Sequence, residues 1–63
     1  GMKQVKISDL KIGMLVDCKY DPANEFEYSL VMELELETPN CQCVYFDFGA
    51  VGYHPNDLVG VAA

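Results

Sequence analysis

Phe26-Glu27-Tyr28-Ser29-Leu30-Val31-Met32-Glu33-Leu34-Glu35-Leu36-Glu37 is the stretch on which the fold turns. Phe26, Tyr28, Leu30, Met32, Leu34 and Leu36 alternate with Glu27, Ser29, Val31, Glu33, Glu35 and Glu37, and only Val31 interrupts the polar set. Glu, Leu and Met favour helices by propensity. A helix, however, would scatter these apolar residues around its circumference, whereas a period of two places them on one side of a strand. The reading is therefore a strand with the leucines buried and the glutamates forming a wet ladder.

Working outward, Met14, Val16, Cys18 and Tyr20 alternate with Leu15, Asp17 and Lys19, which predicts a strand over 14–20. Asp21-Pro22-Ala23-Asn24 reads as the turn between these two strands, and Thr38-Pro39-Asn40 as the next turn. Residues 41–48 are rich in aromatic and β-branched side chains and read as a third strand. Gly49 and Gly52 bracket a predicted short turn, 51–54 a fourth strand, and 59–62 a closing strand. Pro55-Asn56-Asp57-Leu58 reads as a 3₁₀ turn before that last strand. Ser8 to Gly13 reads as a lead-in, with Ile7, Leu10 and Ile12 plugging one end of the fold. The fold class is all-β: a small five-stranded barrel, whose closure protects strand edges from aggregation.

The chain has 63 residues, 51% of them hydrophobic, so one domain over 2–63 is expected. Gly1 before Met2 reads as a remnant of tag cleavage. A domain of this size buries only about 60% of the surface of its unfolded chain, so its apolar residues must be well concentrated. Net charge is −6, with four lysines and no arginine. That balance argues against nucleic acid, whose phosphates need a basic stripe, and favours a protein or peptide of basic character. No run approaches the ~20 apolar residues of a membrane span. Three cysteines without an export signal point to a reducing, cytoplasmic setting.

Val44-Tyr45-Phe46-Asp47-Phe48-Gly49-Ala50, followed by Asn56-Asp57-Leu58, resembles the Tudor domain, an SH3-like barrel. Ile12-Gly13-Met14, Cys18-Lys19-Tyr20 and Tyr28-Ser29-Leu30-Val31 fit the same pattern, so the resemblance covers roughly residues 11–61. It implies an aromatic cage of Tyr20, Tyr28, Tyr45 and Phe48, with Asp47 beside it, that holds a cation such as a methylated Lys or Arg. Ala50 stands where the family carries Asn after the Gly, which removes one polar contact to the ligand. Cation–π contacts of this kind contribute roughly 0.5–2 kcal/mol each. The same rings also serve as core material in a small domain without Trp.

Other constellations have plainer roles beside their chemical ones. Cys41-x-Cys43 with Cys18 and His54 has zinc-ligand chemistry but not zinc-ligand spacing. Cys18 falls on a core position, where a free Cys acts as a small apolar residue. His54 reads as a turn residue, because so small a fold encloses no pocket for a catalytic base. No metal, cofactor or enzymatic activity is therefore expected. Glu27, Glu33, Glu35 and Glu37 form a stripe that is either a solvated face or a docking surface for a basic partner. The expected function is a non-catalytic interaction module. The alternatives are a self-associating structural subunit, such as a homodimer, or an RNA-associated small barrel.

Overall fold

The computed structural model describes residues 2–18 and 28–62. Among these, seven strands and one 3₁₀ helix build two antiparallel sheets. In chain order they are β1 (Met2–Lys6), the 3₁₀ helix (Ile7–Asp9), β2 (Leu15–Asp17), β3 (Tyr28–Leu30), β4 (Glu33–Thr38), β5 (Cys41–Phe46), β6 (Gly49–Tyr53) and β7 (Leu58–Ala62). The first sheet has the order β1-β7-β2-β3 and the second β4-β5-β6. The all-β expectation holds, but the closed five-stranded barrel is corrected to two sheets of four and three strands. Tyr20, Phe26, Glu27 and the expected turn at 21–24 lie outside the described residues.

The decisive stretch explains the split. Val31 N–H donates to the Met14 carbonyl at 2.9 Å, and Gly13 N–H donates back to the Val31 carbonyl at 2.9 Å. One residue later, Met32 N–H donates to the Tyr45 carbonyl at 2.7 Å. The extended segment thus leaves β2 at Val31 and joins β5 at Met32. This crossing shifts the alternation by one residue. Ser29 and Val31, read as wet, are buried, while Leu30 and Met32 are 45% and 51% exposed. Beyond the crossing the predicted phase returns: Leu34 is half-buried and Glu33 and Glu35 are exposed. Leu36 keeps that phase in register but is 62% exposed near the end of β4.

Two more expectations are corrected. The 3₁₀ helix lies at Ile7–Asp9, whereas the residues before β7 form a turn closed by Asp57 N–H to the His54 carbonyl at 2.9 Å. Gly49 and Gly52 do not bracket a turn. Asp47 and Phe48 form it, and both glycines belong to β6. Gly49 has φ +138°, a conformation that L side chains rarely adopt, which suits glycine at the hairpin's exit. A strand that the sequence reading did not assign precedes the lead-in: Met2–Lys6 pairs along its whole length with β7. Its exposed Lys3, Gln4 and Lys6 suit an edge strand, where lysines discourage further pairing.

The core lies between the sheets. Val16, Val59 and Val61 come from the first sheet, and Val44 and Phe46 from the second. Cys18 and Val31 join them from the ends of β2 and β3, and Ile7 and Leu10 close the cluster from the 3₁₀ segment. Each such side chain, once buried, stabilises the fold by roughly 1.5–3 kcal/mol. Ile12, expected with them, is instead exposed in the turn before β2. Among the described residues no helix is long and apolar enough to cross a membrane.

Candidate functional site

Because Val44 and Phe46 point into the core, Cys43 and Tyr45 point out of the second sheet. Register places Glu33, Tyr45 and Ala50 in one row across β4, β5 and β6, and Glu35, Cys43 and Gly52 in the next. The Tyr45 hydroxyl donates to Glu35 Oε2 at 3.2 Å. Glu35 sits opposite Cys43, so the ring leans along β5 over the Cys43 side chain. That posture explains why Cys43 is only 9% exposed yet stands apart from the core cluster.

The environment of the phenol is unfavourable to negative charge. Its pKa is pushed up to about 12, first by its hydrogen bond with Cys43 and the field of that thiol, then by the Glu35 carboxylate. Glu33, Glu35 and Glu37 all lie exposed on β4. Among the described residues no lysine is in this sheet. Lys3 and Lys6 are in β1, Lys11 is in the turn before β2, and Lys19 lies outside the described residues. Cys41 shares the outer face, with its Sγ 3.5 Å from where a Cβ on Gly52 would stand. A Cβ there would meet that sulfur at ordinary van der Waals distance.

The remaining cage candidates are dispersed. Phe48 is 41% exposed and stacks on Phe46, with ring centroids 5.1 Å apart and planes 8° from parallel. Phe46 is a core residue, so Phe48 lies toward the opposite face of the hairpin from Tyr45. Asp47 is exposed in the same turn. Tyr28 is half-buried in the first sheet, opposite Asp17. Tyr20 lies outside the described residues. Among the described residues no ring contact joins Tyr28 or Tyr45 to Phe48.

The residues with zinc-ligand chemistry are also separated. Cys18 is in the core, with its Sγ donating to the Val16 carbonyl at 3.6 Å. Cys41 and Cys43 face outward, and His54 is in the turn before β7. Among the described residues no three His, Cys, Asp or Glu side chains form a metal-holding group.

The first sheet carries a feature that sequence reasoning missed. Gln4, Gly60, Asp17 and Tyr28 fall in one row across β1, β7, β2 and β3, on the side away from the core. An open groove of about 420 Å³ lies there, lined by Gln4, Asp17, Tyr53, Asp57, Leu58 and Gly60 among others. Asp57 is held firmly. Its Oδ2 accepts the His54 N–H at 3.1 Å, and its carbonyl accepts the Ile7 N–H at 2.8 Å. The same turn accepts Ser8 N–H at the Pro55 carbonyl, 2.9 Å, and Asn56 N–H at His54 Nδ1, 3.1 Å. The sequence signal was a glycine inside an otherwise apolar strand, Val59-Gly60-Val61, which often marks a close approach. Compared with known proteins, the chain matches no family model, no curated protein and no solved structure at a significant level.

Proposed function

We propose that this chain is a small non-catalytic interaction module that docks a cationic segment of a partner protein on the outer face of β4–β5–β6. The observation that carries the reading is Glu33 and Glu35 beside the Tyr45 ring, in a sheet that holds no lysine. Carboxylates side by side repel one another, and a bound cation relieves that repulsion. The Tyr45 ring adds a face to which a Lys or Arg cation, methylated or not, is attracted. The acidic net charge speeds encounter with such a partner.

In the same reading the architecture is SH3-like, of the Tudor kind. Its support is the hand-over of one extended segment from β2 to β5, the two hairpins β4–β5 and β5–β6, and the return of β7 to β2.

The test is calorimetric titration with a lysine- and arginine-rich peptide and with an uncharged peptide of equal length. The basic peptide is expected to bind and to weaken as salt rises. Tyr45→Ala is expected to weaken it about two- to fivefold, and Glu33→Gln with Glu35→Gln by a comparable factor. Equal binding of the uncharged peptide, or indifference to the glutamate changes, would sink the reading.

A further inference from the structure

We infer that the outer face of the first sheet, around Leu15 and Leu30, is the contact through which two copies of this chain form a reversible two-fold dimer. The inference goes beyond docking on the second sheet and stands on a different surface. Val16 and Ser29 are buried, so Leu15 and Leu30, which oppose one another in register across β2 and β3, point outward. The pairing of Val16 with Val61 sets Ala62 of β7 beside Leu15 in the same row. Met32 follows Leu30 by two residues and keeps its side. Ile12 stands at that end of the face, in the turn whose Gly13 N–H donates to the Val31 carbonyl at 2.9 Å. Ile12, Leu15, Leu30 and Met32 are 43–68% exposed. Single exposed apolar side chains are ordinary, whereas a contiguous group of them marks a contact surface.

Charge selects a second copy as the occupant. Each chain carries −6, so two copies repel and meet best where carboxylates are sparse. β4 exposes Glu33, Glu35 and Glu37. In the first sheet, by contrast, the charged residues at described outward positions are Lys6 and Asp17, of opposite sign. The apolar face is also complementary to itself. Lys11 adjoins Ile12 on the β2 flank and Glu33 adjoins Met32 on the β3 flank, both exposed and both at the same end. A two-fold axis parallel to the strands, in the plane of contact, exchanges the flanks. It lays Leu15 of one copy on Leu30 of the other, and Lys11 on Glu33, twice over. Such a contact is isologous and closes at two copies, with the sheets packed face to face. Of these residues only Glu33 also belongs to the docking face. Four half-exposed side chains and one alanine fall short of the roughly 800 Å² per partner of a standard interface, so the dimer is weak, with a dissociation constant in the micromolar range or above.

The test is sedimentation equilibrium of the full chain from micromolar to millimolar concentration. The apparent mass is expected to rise toward that of two chains and no further. Leu15→Glu and Leu30→Glu are each expected to weaken the dimer about tenfold or more, since each sets a carboxylate in the apolar contact of both copies. Both positions are nearly half exposed, so circular dichroism is expected to show these variants folded. Lys11→Glu and Glu33→Lys are each expected to weaken the dimer about fivefold, and the two changes together to restore the wild-type constant. Independently of any variant, isotope-filtered NOE spectra of mixed labelled and unlabelled chain are expected to join Leu15 methyls of one copy to Leu30 methyls of the other. A chain that stays monomeric to millimolar concentration would overturn the inference, whether or not the face then takes up phospholipid vesicles or another protein. So would assembly past two copies, association indifferent to Leu15→Glu and Leu30→Glu, or a double exchange without recovery.

Discussion

Tyr45 shows how a single side chain acquires its properties from two strands. Its hydroxyl reaches Glu35 across β4–β5 while its ring covers Cys43 two residues back along β5. Both neighbours oppose the phenolate, so the folded chain holds the Tyr45 proton to about 12 instead of 10.0. Above pH 10 the unfolded chain releases this proton first, so the folded state binds more protons and stability falls as pH rises toward 12. Below pH 10 both states are protonated and the contribution is complete. In a phenolate absorbance titration, Tyr45 is expected to titrate near pH 12. Cys43→Ala is expected to move that midpoint down more than Glu35→Gln does, and an unchanged midpoint in both variants would contradict the arrangement. The outward position of Tyr45 was legible from its place between Val44 and Phe46. Its partner was not, because Glu35 is ten residues away and its row depends on where β4 joins β5. The same limit hid the Asp57–His54 contact and the row through Gly60.

At the level of elements, the instructive feature is the crossing at Val31–Met32. Alternation predicts extended chain rather than helix, and among the described residues 28–37 the chain is extended, not helical. The same alternation assigned the wrong faces before the crossing, because a segment that changes sheets presents first one side and then the other to the same core. A one-residue slip reverses every face, and no periodicity within β3 alone reveals it. The consequence is a pair of opposite outcomes at adjacent positions. Val31→Asp is expected to unfold the chain, since it buries an unpaired charge. Met32→Lys is expected to change stability by no more than about 0.5 kcal/mol, since Met32 is half exposed. Urea unfolding followed by circular dichroism decides it, and the reverse pattern would restore the unbroken strand. β1 escaped sequence reading for a simpler reason. Of Lys3-Gln4-Val5-Lys6, only Val5 packs against the core, too little for a clear pattern.

For the molecule as a whole, stability rests on few residues. A chain of this length is expected to be stable by about 3–9 kcal/mol. Ile7, fully buried at the head of the 3₁₀ helix, is expected to forfeit about 2–5 kcal/mol when changed to Ala. Thermal unfolding of Ile7→Ala should therefore show a large loss of melting temperature, and near-wild-type behaviour would remove the lead-in from the core. The all-β class and most core positions of β2 and β5 were legible from alternation, whereas the division into two sheets required long-range pairing. That pairing has a consequence for biosynthesis. Among the described residues β1 has β7 as its only neighbour in the sheet, and β7 follows every other described strand along the chain. The opening segment therefore emerges from the ribosome with its partner still to come, and must wait, unpaired, until translation of this domain is nearly finished. Contacts this distant in sequence make assembly a late event rather than a progressive one.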